Sequence, residues 1–412
     1  MMKRWSLLVV VGWIVVFAVG CSLENPFSSL GAASVDPLLV RGVNGFGLCL
    51  LRDLRRGQGG NVFLSPVSVE LALSMAASGA RGETQREMYT ALGFGSLSRE
   101  EVNTGNLALL QALKISGSGV TLSLANSLWA REGVGFFPEY LEMVRRFYEA
   151  EARIVDFANP QTISLINQWV REKTQGAIKD IINRLPDNAI LVLLNATYFK
   201  GKWKTSFDLA RTQSLPFFFG GGGQKEVPMM WQEGSFRYLE TESLQVVRLP
   251  YARERFGMYV FLPKEREGVD ALLEGLDVSA LEGYIAALTE KEGEVYLPRF
   301  RVTFEKVLNE NLKALGMEKA FDLERADFGD MLPVSPEANA YISEVKHKSL
   351  LEVNEEGTVA AGVTSVIIGL TAVSPEYRFV MRVDHPFLVG IRDEETGVFL
   401  FLGVVADPEE LS

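Results

Sequence analysis

Two histidines, His347 and His385, and two cysteines, Cys21 and Cys49, are the whole stock of imidazole and thiol in 412 residues. A histidine-based triad or metal centre therefore has few ways to be built. His385 lies in Asp384-His385-Pro386-Phe387, where a Ser-His-Asp reading would need a serine presented on a sharp turn, and no Gly-x-Ser-x-Gly occurs. A phosphate-cradling Gly-x-x-x-x-Gly-Lys-Ser/Thr is absent, and the glycines at 220–223 lack the strand-then-helix setting of a dinucleotide site. Carboxylates are abundant, so chemistry by Asp and Glu alone stays open, but solvated surface charge is their commonest use. The chain reads as a non-enzyme, with no cofactor and no metal expected.

The unusual segment is one with no reactive groups at all. Residues 357–375 read GTVAAGVTSVIIGLTAVSP, nineteen positions without a charge. One alternating set, Thr358, Ala360, Gly362, Thr364, Val366 and Ile368, is small or apolar and could lie on a core if the segment were a strand. The other set, Val359, Ala361, Val363, Ser365 and Ile367, is equally uncharged, so both faces could be covered. A permanently buried central strand fits that pattern. Against it stand the polar boundaries Glu355-Glu356 and Pro375-Glu376, and the internal glycines Gly362 and Gly369, which weaken an ordinary strand.

Around this segment the chain is a dense mixture of elements. Ser65-Pro66 followed by Val67, Leu71, Met75 and Ala76 predicts a capped helix closing near Gly79. Helices are also predicted over 84–92, with Gly93 behind it, and over 162–174, with Ile163, Ile166 and Val170 on one face. Strand patterns run over 190–199, 246–249, 258–262, 295–304 and 398–405. Helices crowd the first half and strands the second without regular alternation, so the fold class is α+β rather than a doubly wound parallel sheet. There is no internal repeat. A hydrophobic share of 47% allows one large core, and a net charge of −11 without a basic stripe excludes nucleic acid as a partner.

At the N-terminus, Lys3 and Arg4 precede the apolar run 5–19, which ends Ala18-Val19-Gly20-Cys21. The run is short for a membrane span and has the layout of a secretory signal peptide. Small residues directly before a cysteine resemble a bacterial lipoprotein cleavage box, with Cys21 the lipidated first residue; ordinary cleavage beside an incidental thiol is the other reading. Residues 22–37 contain Asn25, Pro26, Ser28, Ser29, Gly31, Ser34 and Pro37 with little periodicity and read as a tether. The expected organisation is a signal peptide at 1–20, a lipidated tether at 21–37 and one domain at 38–412, anchored outside a bacterial membrane or otherwise secreted. Cys49, within the apolar FGLCLL at 46–51, is expected to be a small core residue.

Residues 354–364, NEEGTVAAGVT, resemble the hinge of the reactive-centre loop of serpins, the serine protease inhibitors. The likeness extends over about residues 40–408 through NVFLSPVSVELALSMAASGARGET (61–84), LANSLWA (124–130), INQWVREKTQGAIKDII (166–182), LVLLNATYFKGKW (191–203), VPMM (227–230), LPYARERFGMYVFLP (249–263), VYLPRF (295–300), ISEVKHKSLLEVNEEGT (342–358) and DHPFLVGIRD (384–393).

That resemblance implies a single serpin domain of three β-sheets and eight or nine helices, with an exposed loop as bait. A protease that cuts the bait is trapped as an acyl-enzyme while the loop inserts into the central sheet, driven by stored strain. Inserted side chains are buried, where an unpaired charge is costly. The implied hinge is Glu355, Gly357, Thr358, Ala360, Ala361, Gly362 and Thr364, with Thr358 the first side chain to be buried when the sheet opens. Family spacing places the cut bond at Thr371-Ala372, with Leu370-Thr371 the nearest alternative. Ser65, Ser68, Asn195 and His347 match the polar cluster beneath the central sheet, Trp203 the tryptophan where the loop enters, and Glu355 with Arg299 a hinge carboxylate and its basic partner.

The implied partner is a serine protease. Because Ile367-Ile368-Gly369-Leu370-Thr371 offers no Arg or Lys, an elastase-like or subtilisin-like enzyme is expected rather than a trypsin-like one, and the inhibitor itself is expected to be a monomer. The competing readings are a non-inhibitory serpin, acting as a binding or chaperone-like protein, and an unrelated hydrolase. The former tends to carry charge, bulk or proline in the hinge, and residues 357–364 carry no charge and no proline.

Overall fold

The computed structural model describes residues 35–56, 59–114, 119–186, 188–333, 340–358 and 378–409. Cys21, the expected signal peptide and the loop positions Ala360, Ala361, Gly362, Thr364, Leu370, Thr371 and Ala372 lie outside the described residues.

In chain order the elements are α1 (Pro37–Arg55), β1 (Val62–Leu64), α2 (Pro66–Ala77), α3 (Gly82–Ala91), α4 (Arg99–Leu113), β2 (Val120–Arg131), α5 (Pro138–Tyr148), β3 (Glu151–Val155), α6 (Pro160–Lys173) and β4 (Leu191–Lys202). There follow β5 (Gln213–Phe219), β6 (Gly223–Glu240), β7 (Leu244–Pro250), β8 (Phe256–Pro263), α7 (Val269–Gly275), α8 (Val278–Ala286), β9 (Thr289–Pro298) and β10 (Phe300–Val307). The last are α9 (Asn309–Ala314), β11 (Ile342–Asn354), β12 (Gly357–Thr358), β13 (Phe379–Arg382), β14 (Phe387–Asp393) and β15 (Phe399–Val405).

Local chemistry starts the helices. Proline opens α1, α2, α5 and α6, where its missing N–H costs nothing. Ser98 and Glu101 close a reciprocal capping box on α4. α1 begins inside the expected tether, because the Asp36 carboxylate accepts the Leu38 N–H at 2.8 Å ahead of Pro37. Cys49 is exposed, not in the core as its apolar neighbours suggested. The helical period turns position 49 to solvent while Leu48 and Leu50 pack inward.

The strand pattern at 295–304 proves to be two strands in two sheets, β9 ending at Pro298 and β10 starting at Phe300. Alternating hydrophobicity reports burial and is blind to a change of hydrogen-bonding partner. A six-stranded sheet runs β10-β11-β12-β4-β2-β3, and a nine-stranded network runs β1-β15-β14-β8-β7-β6-β9-β13 with β5 on β6. Three sheets were implied; among the described residues they form two networks because β6 passes unbroken through two of them. Its start pairs with β5, its middle with β9 and its end with β7. Nine α-helices are present among the described residues. All twelve residues of α2 are buried, and it packs against β2, β4 and β15 as the central helix of the core.

Candidate functional site

The seam of the six-stranded sheet lies between β11 and β4. These pair in parallel from Ile342 opposite Leu191 to Leu350 opposite Tyr198. Beyond that point β12 stands between them, antiparallel to both: Thr358 opposes Val353 and Gly201, and Gly357 opposes Asn354 and Lys202. The chain therefore leaves β11, reverses at Glu355-Glu356, and re-enters the top of the seam it has just bounded. The reversal is an Asx turn, with Asn354 Oδ1 accepting the N–H of Glu356 at 3.0 Å and of Gly357 at 3.1 Å. Gly357 has φ 151°, and a Cβ there would sit 2.1 Å from the Gly201 carbonyl oxygen, so only glycine fits.

Thr358 is fully buried, its hydroxyl 2.9 Å from the Tyr251 phenol. This corrects one expectation: Thr358 does not wait for the sheet to open, because the top of the seam is already parted. Composition identified a segment fit for insertion but carried no signal of how far insertion had gone.

Trp203 holds the reversal from the side. Its indole N–H donates to the Asn354 carbonyl at 2.9 Å, its backbone N–H donates to the Glu356 carbonyl at 2.9 Å, and its ring stacks on Tyr251 with centroids 4.7 Å apart. The Phe207 N–H donates to the Glu355 carbonyl at 2.8 Å. The Glu355 carboxylate receives the Arg299 guanidinium and the Thr212 hydroxyl, the latter at 2.7 Å. Burial pushes its pKa up, but these donors outweigh burial and hold it below the ordinary carboxylate value. Sequence reasoning missed Tyr251 and Thr212. Tyr251 sat unremarked in LPYARERF; Thr212 carries no local signal, since only the fold brings it to Glu355.

Lower in the seam, His347 on β11 is the direct register partner of Asn195 on β4. The Ser65 N–H donates to His347 Nε2 at 3.3 Å, so Nε2 is the acceptor nitrogen and Nδ1–H donates to Asn195 Oδ1. Asn195 Nδ2 then donates to Ser68 Oγ and Asn126 Oδ1, and the Ser68 hydroxyl donates to Asn126 Oδ1 at 3.1 Å. Burial drives the His347 pKa down to about 3, so the ring is neutral. The structure thus brings Ser65, Ser68, Asn195 and His347 together at the N-terminus of α2 and adds Asn126 of β2. Parting β11 from β4 breaks the His347–Asn195 link while Asn195, Asn126 and Ser68 keep one another. Asn195 and Thr197 are both buried, which leaves the sequence Asn195-Ala196-Thr197 unavailable to glycosylation.

None of these groups forms a nucleophile–base pair. The arrangement holds a chain segment in the seam by backbone pairing and buried hydrogen bonds. Residues 41–408 match the family model for serpins, serine protease inhibitors. The chain belongs to the serpin family. An uncharacterized serpin-like protein of Thermococcus kodakarensis is 37% identical over 99% of this chain and the whole of its own length. The leukocyte elastase inhibitor of Homo sapiens is 36% identical, covering 85% of this serpin and 93% of itself. Among solved structures, the thermophilic serpin tengpin in its native state superposes with a TM-score of 0.84 at 30% identity, covering 90% of this chain and 95% of its own.

Proposed function

We propose that this serpin is a single-use inhibitor of serine proteases that works by reactive-loop cleavage, acyl-enzyme trapping and insertion of the loop into the six-stranded sheet. The observation that carries the reading is the two-residue strand β12, whose ladder to β11 and β4 is started while the parallel pairing below it is intact. Extending β12 antiparallel by its own alternation puts Ala360, Gly362 and Thr364 on the face of Thr358, all small enough to follow it. The cut bond is Thr371-Ala372 and the target elastase-like or subtilisin-like; the likeness to the leukocyte elastase inhibitor supports that preference. The serpin acts as a monomer outside the cell, held to the membrane by lipid on Cys21.

The test is incubation with elastase-like, subtilisin-like, chymotrypsin-like and trypsin-like proteases, followed by denaturing electrophoresis and mass spectrometry. A covalent complex that survives SDS, with a released fragment beginning at Ala372, is expected for the first two classes. Cleavage by all of them without any complex would make this a non-inhibitory member, and a stable trypsin complex formed at Arg378 would overturn the assigned bond.

A further inference from the structure

Glu70 is a charged residue type in the middle of α2, with no exposed surface. Its Oε1 accepts the Ser74 hydroxyl at 2.5 Å and the Asn106 Nδ2–H, from α4, at 3.0 Å. The remaining carboxyl oxygen, Oε2, is buried without a hydrogen-bond partner, and so is Asn106 Oδ1, the other half of the same amide. Two orphan acceptors on the two groups that already share a bond cannot satisfy each other. One proton changes that. A carboxylic acid and a primary amide are both planar forks, and a proton on Oε2 donating to Oδ1 closes the second rung beside Nδ2–H···Oε1.

We infer that Glu70 is carried as the neutral acid and that its proton, bridging to Asn106 Oδ1, makes it a positioning residue that ties α2 to α4. The surroundings agree. Burial pushes the Glu70 pKa up to about 7 against the opposing pull of Ser74 and Asn106. No basic side chain is among the groups acting on it. The titratable groups facing it are the phenols of Tyr89 from α3 and Tyr148 from α5, both themselves held neutral by burial. Arg99 of α4, a cation that acts on Tyr89, is engaged by Asp330 and the Ala80 carbonyl.

The place of the pair gives it consequence. α2 presents Ser65 and Ser68 to the seam, while α4 is the element directly before β2, which pairs with β4 along one side of that seam. A closed Glu70–Asn106 ring adds a second tie between α2 and the β2–β4 side of the seam, beside the one Ser68 makes to Asn126 and Asn195. Ionisation would leave a buried carboxylate facing the Asn106 oxygen and loosen the coupling. The inference does not depend on any protease being trapped.

The sign follows from linkage. A folded-state pKa raised above the unfolded value near 4.5 adds stability that is full below that value and is lost as pH rises through the folded pKa. Glu70→Gln mimics the neutral acid, because its amide can make both rungs without a proton. The difference in melting temperature between the full-length wild type and Glu70→Gln should therefore shift against the wild type between pH 5 and 8. Titration of His347, common to both chains, cancels in that difference. Spontaneous conversion of the uncleaved wild type to a heat-resistant, loop-inserted form should likewise quicken over this range, with Glu70→Gln unresponsive. Glu70→Leu, which orphans Asn106, should be less stable than Glu70→Gln at every pH.

Infrared spectroscopy of the wild type at pH 5.5 supplies an independent readout. The wild-type spectrum less that of Glu70→Gln should show the carbonyl stretch of a protonated carboxylic acid, fading as pH is raised. No such band, or identical pH slopes in wild type and Glu70→Gln, or equal stability of the Gln and Leu variants, overturns the inference.

Discussion

The Thr358 hydroxyl and the Tyr251 phenol lie 2.9 Å apart in a site from which solvent is excluded, and the Tyr251 ring is clamped against Trp203. Burial raises the Tyr251 pKa far above the ordinary phenol value, so the hydroxyl pair stays protonated across the working pH range. The hinge is therefore fastened at its tip by a hydrogen bond and at its base by the Arg299–Glu355 ion pair.

Tyr251→Phe tests the tip. The ring stack remains and the hydroxyl pairing is lost, leaving Thr358 Oγ1 without that partner in a closed site. Native stability should fall by about 1 kcal/mol. Hydrogen exchange at Gly357 and Thr358 should accelerate while β11 and β4 below the hinge are unchanged. Unaltered exchange in β12 would mean that backbone pairing alone holds it.

Glu355→Gln tests the base. Arg299 would keep a neutral partner but lose its counter-charge, and because its side chain is 27% exposed, solvent softens the loss to about 1–2 kcal/mol. A carboxylate held below its ordinary pKa contributes stability that is present above that value and disappears as pH falls through the folded pKa. The wild-type advantage over Glu355→Gln in thermal melts should accordingly be full at pH 7 and shrink as pH falls below about 4.5. An advantage that does not vary with pH would assign it to packing instead of charge.

His347 titrates in the opposite sense to Glu70. Its folded pKa is driven from 6.5 to about 3, so neutral His347 contributes stability that is full above pH 6.5 and lost progressively as pH drops toward 3. Protonation would force a second N–H onto Nε2, against the Ser65 N–H that now donates to it. The closed sheet should weaken on mild acidification by an amount on the order of a few kcal/mol by pH 4. His347→Gln should flatten that slope in melts between pH 7 and 4; a slope that persists would place the acid sensitivity elsewhere.

The parts of this site that were legible in the sequence are those whose physics is local. Ser65-Pro66 followed by apolar residues at helical spacing is a local helix start, and it put the first two polar residues of the seam at the head of α2. Gly357 and Thr358 were legible as small, uncharged residues because a strand enclosed on both sides must bury its side chains. The pairing of Arg299 with Glu355 and of Asn195 with His347 came through family resemblance, since contacts between residues 56 and 152 positions apart have no local trace. Thr212, Tyr251 and Asn126 stayed hidden for the same reason. How far β12 enters the seam was also illegible, because the pairing of Gly357 and Thr358 with β11 and β4 is set by distant parts of the chain, to which local composition is indifferent.

The expected anchor is separable from all of this. Cys21→Ser should abolish metabolic labelling with a fatty acid and release soluble protein whose inhibition of a susceptible protease is unchanged, because α1 begins only at Pro37. Labelling that persists in the variant would dispose of Cys21 as the lipid site.

Thr358→Arg probes the mechanism, and its expected effect follows from Thr358 being buried in the uncleaved chain. Arginine cannot occupy a fully enclosed site whose polar neighbour is the Tyr251 hydroxyl without burying an unpaired charge. β12 should therefore leave the seam in the variant, and the reactive loop should gain freedom at its hinge. The parallel pairing of β11 with β4 from Ile342 to Leu350 does not involve Thr358, so the body should still fold, its melting point lowered by the pairing that β12 gives up. The exposed loop should be cut at least as fast as in the wild type. Insertion must then carry position 358 back into the seam as its first step, and the charge should slow that step below deacylation. The protease should be recovered active, with little SDS-stable complex, and the cleaved variant should lack the gain in heat resistance expected of a cleaved wild type whose loop has become a strand. Inhibition by Thr358→Arg at undiminished stoichiometry would mean that entry at β12 is not on the path, and the proposed mechanism would fall with it.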